Sequence, residues 1–401
     1  MDAPRPGGAL EGIRVLDLGL LVQGPQAAQL LRDLGAEVIK VELPGLGDQA
    51  RWIPISLEDF RPPYFVGCNR GKRSITLDLR VAAGREVFLQ LLDRADVVVS
   101  NFVPGTMESW GIGYEALAER NPRIVYGSGS TFGPVGADAG RRGADIAGQA
   151  SGGLIRSTGS GPEDMGPVGV TIADHAGSQN LAAGILAALF ARERTGRGQK
   201  VEVSLLGGQI WAQASEYTFS FLTGRNPGHA DGGHALIPVI YGLLPTANGH
   251  IVLVGVPEDQ RDLFFEIVGR PELSKDERFN SLILAPENRH ALFELLKGIF
   301  RTRSTEEWEK LLGEAQLRYA TVRDYLEVAQ DESVFENGYL QRVEHPEWGE
   351  IPMPGCPIRL SDTPATPGAL APELGQHTEE VLLEHGLEWD EIARLRESEV
   401  I

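Results

Sequence analysis

The sequence contains only two cysteines among 401 residues, Cys68 and Cys356. Two cysteines form neither a disulfide framework nor a cysteine-ligated zinc site, and they fit a reducing compartment. Long hydrophobic runs are also absent, since none approaches the ~18 apolar residues that a membrane-spanning helix needs. The first residues show no basic segment followed by an apolar one, so we expect no secretory signal. These absences predict a cytoplasmic protein that does not cross a membrane.

Basic residues are scarce, with 37 Lys and Arg against 56 Asp and Glu, for a net charge of −19. Because nucleic-acid binding depends on clustered positive charge, we expect no nucleic-acid partner. A small polyanion would need a local basic cluster, and two are present, at residues 70–73 and 141–142. On charge alone, each cluster is better interpreted as a solvated loop.

Apolar residues make up 42% and charged residues 23% of the chain, as in ordinary soluble proteins. A chain of this length favours two or three domains.

Strands and helices alternate over the first 130 residues. Strands at 13–18 and 37–42 flank a helix at 26–34, and this β-α-β pattern predicts a parallel sheet with a right-handed crossover. Further strands are predicted at 74–79, 95–100 and 124–128, and further helices at 82–92 and 114–121. The loop after the first strand lacks the G-x-G-x-x-G pattern, so the sequence gives little support for NAD binding.

The later part of the chain predicts a smaller α+β unit. A long helix is expected at 205–224, followed by a boundary loop at 228–234 and a hairpin at 241–254 that turns at Asn-Gly. Helices are expected around 259–268, 289–300 and 305–315, with two short amphipathic helices near the carboxyl terminus. His229 and His234 lie close together, but further metal-ligating residues are missing nearby, so we interpret them as loop residues.

Asp174 is the only carboxylate between Met165 and Phe190. It precedes the apolar segment 181–191, which predicts a helix that is buried on every side. Burying a carboxylate there is costly unless it is hydrogen-bonded or has a chemical role. Asp174 could therefore cap the helix, accepting amide hydrogens from the next residues, or act as a reactive group. In either case the helix dipole would help to keep it ionised.

Short motifs spread over nearly the whole chain point to one family. They lie at residues 10–18, 24–25, 34–42, 71–79, 101–105, 173–174, 195–199 and 374–378. In this order and spacing they resemble the family III CoA-transferases, which include formyl-CoA transferase, carnitine CoA-transferase and the α-methylacyl-CoA racemases. The resemblance implies an α/β fold with a Rossmann-like parallel-sheet large domain, formed by both chain ends, and an inserted small α+β domain. The predicted boundaries are 1–224 and 331–401 for the large domain and 225–330 for the small one, with two chains interlocked as a homodimer.

The resemblance also implies that Asp174 is the nucleophile of a CoA-transferase. Its carboxylate would form a mixed anhydride with the acyl group of an acyl-CoA, and then an aspartyl-CoA thioester. A carboxylate held in a dry pocket beside amide donors can attack a thioester, and each tetrahedral intermediate needs donors aimed at its oxyanion. The backbone amides near Gln23, Gly24, Gly232 and Gly233 are the candidate donors.

By the same resemblance, CoA would enter as the acyl-CoA co-substrate, with no cofactor or metal bound permanently. The residues assigned to CoA binding are Lys72, Arg73, Leu77, Asn101, Phe102, Arg142 and Asp145. Three positions depart from formyl-CoA transferase: Val22 replaces a glutamine beside the reacting acyl group, and Leu43 and Ser109 replace arginines near the nucleotide. These departures put formate and oxalate in doubt as substrates.

Two alternatives remain open from the sequence. A racemase needs an acid/base pair on opposite faces of the reacting carbon. Ala144 stands where racemase members carry histidine, and His175 points about 100° away from its neighbour Asp174 on a helix. A CoA-binding protein without catalysis is the second alternative. The sequence does not identify the acceptor acid, and the aromatic residues around 211–241 fit either an acyl pocket or the core.

Overall fold

The computed structural model describes residues 8–368 and 370–401, and the amino-terminal segment examined for a secretory signal lies mostly outside them. The chain divides into two compact units. Unit 1 comprises the described residues up to Gly152, together with Gly169–Ala212 and Asp331–Ile401. Unit 2 comprises Gly153–Val168 and Gln213–Gln330, so residues 153–168 and 213–224 fall in unit 2, outside the predicted range 225–330.

Unit 1 contains a six-stranded sheet in which every neighbouring pair is parallel, as the alternating pattern predicts. Its strands are β1 (Arg14–Asp17), β2 (Glu37–Glu42), β3 (Arg73–Thr76), β4 (Val97–Ser100), β5 (Val125–Ser130) and β6 (Lys200–Ser204). The order across the sheet is β3-β2-β1-β4-β5-β6. The order therefore reverses its direction between β1 and β4.

Helices cover the sheet, and we number helices and strands in chain order over both units. Those of unit 1 are α1 (Gln23–Asp33), α2 (Pro63–Cys68), α3 (Ala82–Leu92), α4 (Thr106–Ser109), α5 (Tyr114–Arg120), α6 (Asp145–Ser151), α8 (Ile172–Thr195), α9 (Leu205–Ala212), α15 (Glu332–Glu336), α16 (Thr378–Glu384) and α17 (Trp389–Glu397). A hairpin of β10 (Leu340–His345) and β11 (Gly349–Pro354) belongs to the same unit.

Successive residues of each strand point to opposite faces of the sheet, so each face builds its own core. Val15 packs with apolar residues of α1 and α8 on one face. Leu16 packs with α3, α16 and α17 on the other face. The chain returns to this unit at its carboxyl end, where the Thr76 amide donates to the Thr378 hydroxyl at 3.0 Å.

Unit 2 is a smaller α+β unit built on the antiparallel sheet β7 (Tyr241–Pro245), β8 (His250–Val254) and β9 (Tyr319–Thr321). The predicted hairpin at 241–254 is confirmed by the pairing of β7 with β8. The helices of unit 2 are α7 (Leu154–Ser157), α10 (Ala214–Thr223), α11 (Arg261–Ile267), α12 (Pro286–Phe300), α13 (Thr305–Glu314) and α14 (Tyr325–Val328). Unit 2 also has short 3₁₀ helices at Glu258–Gln260 and Pro271–Lys275, and unit 1 has one at Gln49–Trp52.

Two expectations about helices are wrong. The helix predicted at 205–224 is two helices, α9 and α10, because Gln213 between them has ψ 33° rather than a helical value. Helix α8 is not buried on every side of this chain, since Phe190 is 66% exposed and Ala183 and Ala187 are exposed on the same side. Within residues 8–368 and 370–401, the structure contains no helix both long and apolar enough to cross a membrane.

Candidate active site

The carboxyl ends of β1 and β4 are adjacent at the point where the strand order reverses. Ligands of open parallel sheets bind at such a point, because the loops that follow the two strands part there. The loop after β1 leads into α1, and the loop after β4 begins with Asn101. Helix α8 packs beside α1 and brings its amino terminus into the same unit.

Asp174 lies in the first turn of α8, two residues after the helix begins at Ile172. The residue in the N-cap position is Thr171, and its side chain makes no capping bond to the described residues. The cap comes instead from Asp145, the first residue of α6. Its Oδ1 accepts hydrogen bonds from the amides of Ala173 at 2.7 Å and Asp174 at 3.2 Å. The expectation that Asp174 is the capping residue is therefore wrong.

The Asp174 side chain is partly exposed, and its carboxylate has no hydrogen-bond or ion-pair partner in the described part of the chain. Burial, and then the negative charge of Asp145, raise the pKa of Asp174 to about 7. These two effects outweigh the helix dipole, which was expected to keep Asp174 ionised. Because capping does not occupy it, this carboxylate is free to act as a nucleophile or a base near neutral pH.

His175, the next residue, is directed toward α1. Its Nδ1 lies 2.6 Å from Gln26 Oε1, and its Nε2 lies 3.2 Å from the Thr171 hydroxyl. Burial lowers the pKa of His175, which favours the neutral imidazole. His175 lines a cavity of about 360 Å³ together with Val22 and other residues of α1, α2 and the β11 end. Asp174 is not among the residues that line this cavity.

Helix α1 begins with two of the predicted amide donors, Gln23 and Gly24, and both residues are buried. The residue before them, Val22, provides no side-chain cap, and the Gln23 and Gly24 amides have no acceptor among the described residues. The Gln23 side chain is wedged between glycines, since a Cβ on Gly177 would lie 2.8 Å from its Nε2 and a Cβ on Gly129 would overlap its Oε1. Gly177 is one turn after Asp174 on α8, so Gln23 packs beside the helix that carries the candidate nucleophile.

Lys72, assigned to CoA binding, is buried in the interior of unit 1. Its Nζ donates to Asp17 Oδ2 at 2.7 Å, to the Pro25 carbonyl at 2.7 Å and to Asn69 Oδ1 at 2.8 Å. All three ammonium hydrogens therefore have protein acceptors. Burial lowers the pKa of Lys72, but the adjacent Asp17 compensates its charge. The structure places Lys72 in a buried network, not on a surface that a ligand reaches.

The other two basic residues assigned to CoA differ from each other. Arg73 pairs with three carboxylates, those of Glu37, Glu380 and Glu384. Arg142 is exposed, with no partner among residues 8–368 and 370–401. In the cluster at residues 70–73, Arg70 pairs with Asp33, Lys72 with Asp17 and Arg73 with glutamates. This cluster is therefore neither a solvated loop nor a free basic patch.

Leu77 and Phe102 come together in a second cavity, of about 270 Å³, beyond the carboxyl ends of β1 to β4. Apolar and aromatic side chains line most of it, including Trp52 and Trp110. Trp110 packs edge to face on Phe102 with ring centroids 5.5 Å apart. Neither tryptophan was predicted to lie at a ligand site, although Trp52 follows the glycine-rich loop after β2.

Asn101, which directly follows β4, is occupied by the protein itself. Its Oδ1 accepts from the Leu20 amide at 2.7 Å, and its Nδ2 donates to the Leu20 carbonyl at 2.9 Å. Asp145, also assigned to CoA, is occupied as the cap of α8.

The glycine pair assigned to the acyl site, Gly232 and Gly233, lies in unit 2 before β7. Gly232 has φ +72°, and its carbonyl accepts from the Leu243 amide at 2.6 Å. The Gly233 amide donates to the Ala230 carbonyl at 2.8 Å. A Cβ on Gly233 would lie 2.6 Å from the Tyr241 carbonyl oxygen, a backbone atom that cannot easily move, so glycine is favoured there.

The loop histidines have separate partners, with His229 Nε2 3.2 Å from Arg156 Nη1 and His234 Nε2 3.2 Å from Glu216 Oε1. Over the residues that the structure describes, no group of three or more His, Cys, Asp or Glu is placed to hold a metal ion.

The chain is similar to CoA-transferases over nearly its whole length. A family model described as CoA-transferase family III matches residues 10–378. The chain is 34% identical to succinyl-CoA:glutarate CoA-transferase of Mus musculus, over 96% of this chain and 87% of that protein. It is 36% identical to succinyl-CoA:mesaconate CoA-transferase of Haloarcula hispanica, over 95% and 97% of the two chains. It is 34% identical to formyl-CoA:oxalate CoA-transferase of Streptomyces coelicolor, over 98% and 99%.

Two solved structures share the fold of this chain. A CAIB/BAIF family protein from Brucella suis superimposes with a TM-score of 0.84 at 30% identity, covering 95% of this chain and all of that one. Rv3272 from Mycobacterium tuberculosis superimposes with a TM-score of 0.80 at 30% identity, covering 94% of this chain and all of that one.

Proposed function

The chain belongs to CoA-transferase family III, and from that premise we propose that it moves CoA from an acyl-CoA thioester to a carboxylic acid through a covalent intermediate on Asp174. One observation carries this proposal. Asp174 is partly buried at the head of α8, has a carboxylate without a partner among the described residues, and has a pKa raised to about 7. A carboxylate of raised basicity is a better nucleophile than an ordinary aspartate once it is ionised.

The proposed reaction needs only an acyl-CoA, an acceptor acid and Asp174. The Asp174 carboxylate attacks the thioester carbonyl and the C–S bond breaks. CoA leaves as its free thiolate, and the acyl group stays on Asp174 as a mixed anhydride. The thiolate then attacks the aspartyl carbonyl, which releases the donor acid and leaves an aspartyl-CoA thioester. The acceptor carboxylate attacks that thioester to form a second anhydride. The released thiolate finally attacks the acceptor's acyl carbon and regenerates Asp174.

Each tetrahedral intermediate carries an oxyanion, and the start of α1 is suited to stabilise it. The Gln23 and Gly24 amides lie at a helix amino terminus without a side-chain cap, which adds a partial positive charge. Donors of this kind typically contribute about 3 kcal/mol each to an acyl-transfer transition state. We assign the oxyanion site to these amides. Of the two candidates in unit 2, Gly232 and Gly233, the Gly233 amide already donates to the Ala230 carbonyl.

The CoA nucleotide is assigned to the 270 Å³ cavity lined by Leu77, Phe102, Trp52 and Trp110. A flat adenine ring fits an apolar and aromatic cavity beyond the strand ends. Leu43 also lines this cavity, so apolar packing takes the place of an arginine there. The one arginine that lines it, Arg80, is paired with Asp78 at 2.7 Å.

We also propose that the protein is a cytoplasmic, interlocked homodimer, and exposed apolar side chains support the dimer. In unit 1, Phe190 is 66% and Trp211 77% exposed, and in unit 2, Phe221 is 81% and Leu222 82% exposed. Apolar side chains of this size are often covered by a partner when they are this exposed.

The proposal is tested with a panel of acids against succinyl-CoA, acetyl-CoA and formyl-CoA, with each new thioester detected by chromatography. The panel includes glutarate, mesaconate, citramalate and oxalate, the acids named for the relatives. The expected result is a new acyl-CoA from at least one acid with the wild type and none with Asp174→Asn. Exchange of the α-proton of a 2-methylacyl-CoA without CoA transfer would instead identify a racemase, and tight CoA binding without either reaction would identify a binding protein.

A further inference from the structure

The segment that joins β1 to α1 is held in place by side chains from other parts of unit 1. The Gly19 amide donates to Asp17 Oδ1 at 2.8 Å, and the Gly19 carbonyl accepts from Lys40 Nζ at 2.8 Å. The Leu21 amide donates to Asp48 Oδ1 at 2.9 Å. Leu21 has φ +62°, a left-handed conformation that a leucine keeps only where its surroundings fix the backbone. The position of this segment is therefore set by these contacts.

Asn101 fixes the residue between them. Its carboxamide pairs with both backbone groups of Leu20, accepting from the amide at 2.7 Å and donating to the carbonyl at 2.9 Å. Asn101 also abuts the first turn of α1, since a Cβ built on Gly24 would lie 3.3 Å from its Oδ1. Leu20 is three residues before Gln23, so a shift at Leu20 moves the start of α1.

We propose that Asn101 is a positioning residue, which holds the Gln23 and Gly24 amides of α1 where the oxyanions form. This inference rests on the proposed function, because the two amides matter to the rate only if the transferase intermediates form beside them. It differs from the role implied by the family resemblance, in which Asn101 contacts CoA. Both polar ends of its carboxamide are bound to Leu20, so the side chain acts on the reaction through the backbone.

Asn101 can be replaced to test this role without disturbing the buried charges of the segment. The other side chains that hold the segment, Asp17, Lys40 and Asp48, are buried charges paired with one another. Removing any of them leaves an uncompensated charge inside the protein and strongly destabilises it. Asn101 is uncharged and only partly buried, so its replacement leaves the charged network complete.

The experiment compares Asn101→Ala with Asn121→Ala. Asn121 makes similar contacts near the amino ends of β4 and β5. Its side chain donates to the carbonyls of Leu92 at 3.2 Å and Ala95 at 2.9 Å, and it accepts from the Arg123 amide at 3.1 Å. The expected loss of kcat is about 100-fold for Asn101→Ala, as for a misplaced reacting group, and less than about twofold for Asn121→Ala. Leu20 also lines the cavity assigned to the nucleotide, so the Kd for free CoA, measured by calorimetry, is expected to rise less than about fivefold in Asn101→Ala, far less than kcat falls, and to stay within about twofold of wild type in Asn121→Ala.

Two results would overturn the inference. A tenfold higher Kd for CoA with unchanged kcat in Asn101→Ala would show direct CoA contact. An equal loss of kcat in both variants, at equal loss of thermal stability, would show a general structural role. Full activity of Asp174→Asn would instead disprove the proposed function, and this readout does not depend on Asn101.

Discussion

The carboxylate of Asp145 caps the helix that carries Asp174, with its Oδ1 3.2 Å from the Asp174 amide nitrogen. This contact has two opposite effects on the candidate nucleophile. It frees the Asp174 carboxylate from capping, because the amides of the first turn already have an acceptor. It also adds a second negative charge beside a partly buried carboxylate, which together with burial raises the Asp174 pKa to about 7. The two aspartates thus act as a pair with separate roles.

This pairing predicts the pH dependence of the enzyme. The nucleophile must be ionised, so kcat/KM is expected to rise with pH through an apparent pKa of about 7. In Asp145→Asn the repulsive charge is lost while the amide oxygen still caps α8, so the rise moves to lower pH. Rate profiles from about pH 5 to 9 check this. Asp138→Asn, which removes an exposed loop carboxylate, is the matched control and leaves the profile unchanged.

The cap itself has a measurable contribution to stability. Asp145→Ala removes the acceptor of the Ala173 and Asp174 amides, which is expected to lower the free energy of unfolding by about 1 kcal/mol. Asp145→Asn keeps the cap acceptor. Its new amide nitrogen replaces the Oδ2 that accepts from Gln149 Nε2 at 2.6 Å, and with the Gln149 carboxamide turned over to accept from it, the variant is expected to lose less than half of that. Chemical denaturation of the two variants at one pH gives the comparison, and equal losses would show that the carboxylate charge, rather than the cap, stabilises α8.

Asp174 is expected to reduce stability at neutral pH. Its pKa in the folded protein, about 7, is above the ordinary value of 3.8, so the folded state binds the proton more tightly than the unfolded state does. The stability that this binding adds is present at low pH and is lost as the pH rises from about 4 to about 7.

Asp174→Asn, which stays neutral, is therefore expected to match the wild type near pH 4 and to be more stable above pH 7. The upper bound on the gain is about 4 kcal/mol, reduced because the carboxyl is partly exposed. Denaturation at both pH values measures it, and a gain that does not change with pH would contradict the raised pKa.

The apolar cavity assigned to the nucleotide is tested through Trp52, which is 65% exposed beside it. A base stacked on an aromatic side chain is worth about 1–3 kcal/mol, so Trp52→Ala is expected to raise the Kd for CoA about tenfold. Trp389→Ala removes a tryptophan of similar exposure, 57%, on α17 and is the control. Unchanged CoA affinity in Trp52→Ala would place the nucleotide elsewhere.

The parts of this fold that follow from local patterns were predictable. The β1-α1-β2 unit, the strand before Asn101 and the hairpin at 241–254 are each set by the periodicity and turn residues of one short segment. Asp174 stood out because it is the one carboxylate in an apolar stretch, and the resemblance to the family III CoA-transferases then implied its role as nucleophile.

The parts that depend on distant residues were not predictable. Lys72 belongs to a basic cluster in the sequence, but the fold buries it against Asp17, 55 residues away. The cap of α8 comes from Asp145, 28 residues before Ala173, so the local pattern pointed to Asp174 instead. Asn101 was predicted to contact CoA from its place after a strand and from the family resemblance, and no sequence pattern shows that its carboxamide pairs with Leu20.

The most direct test of the account is to trap the covalent intermediate on Asp174. The protein is incubated with an acyl-CoA that it accepts, treated with borohydride and digested, and the peptide containing Asp174 is analysed by mass spectrometry. Borohydride reduces an aspartyl thioester to the alcohol, so the account predicts homoserine at position 174 and only in samples that received acyl-CoA. An unmodified Asp174, in a sample that transfers CoA at its full rate, would contradict it.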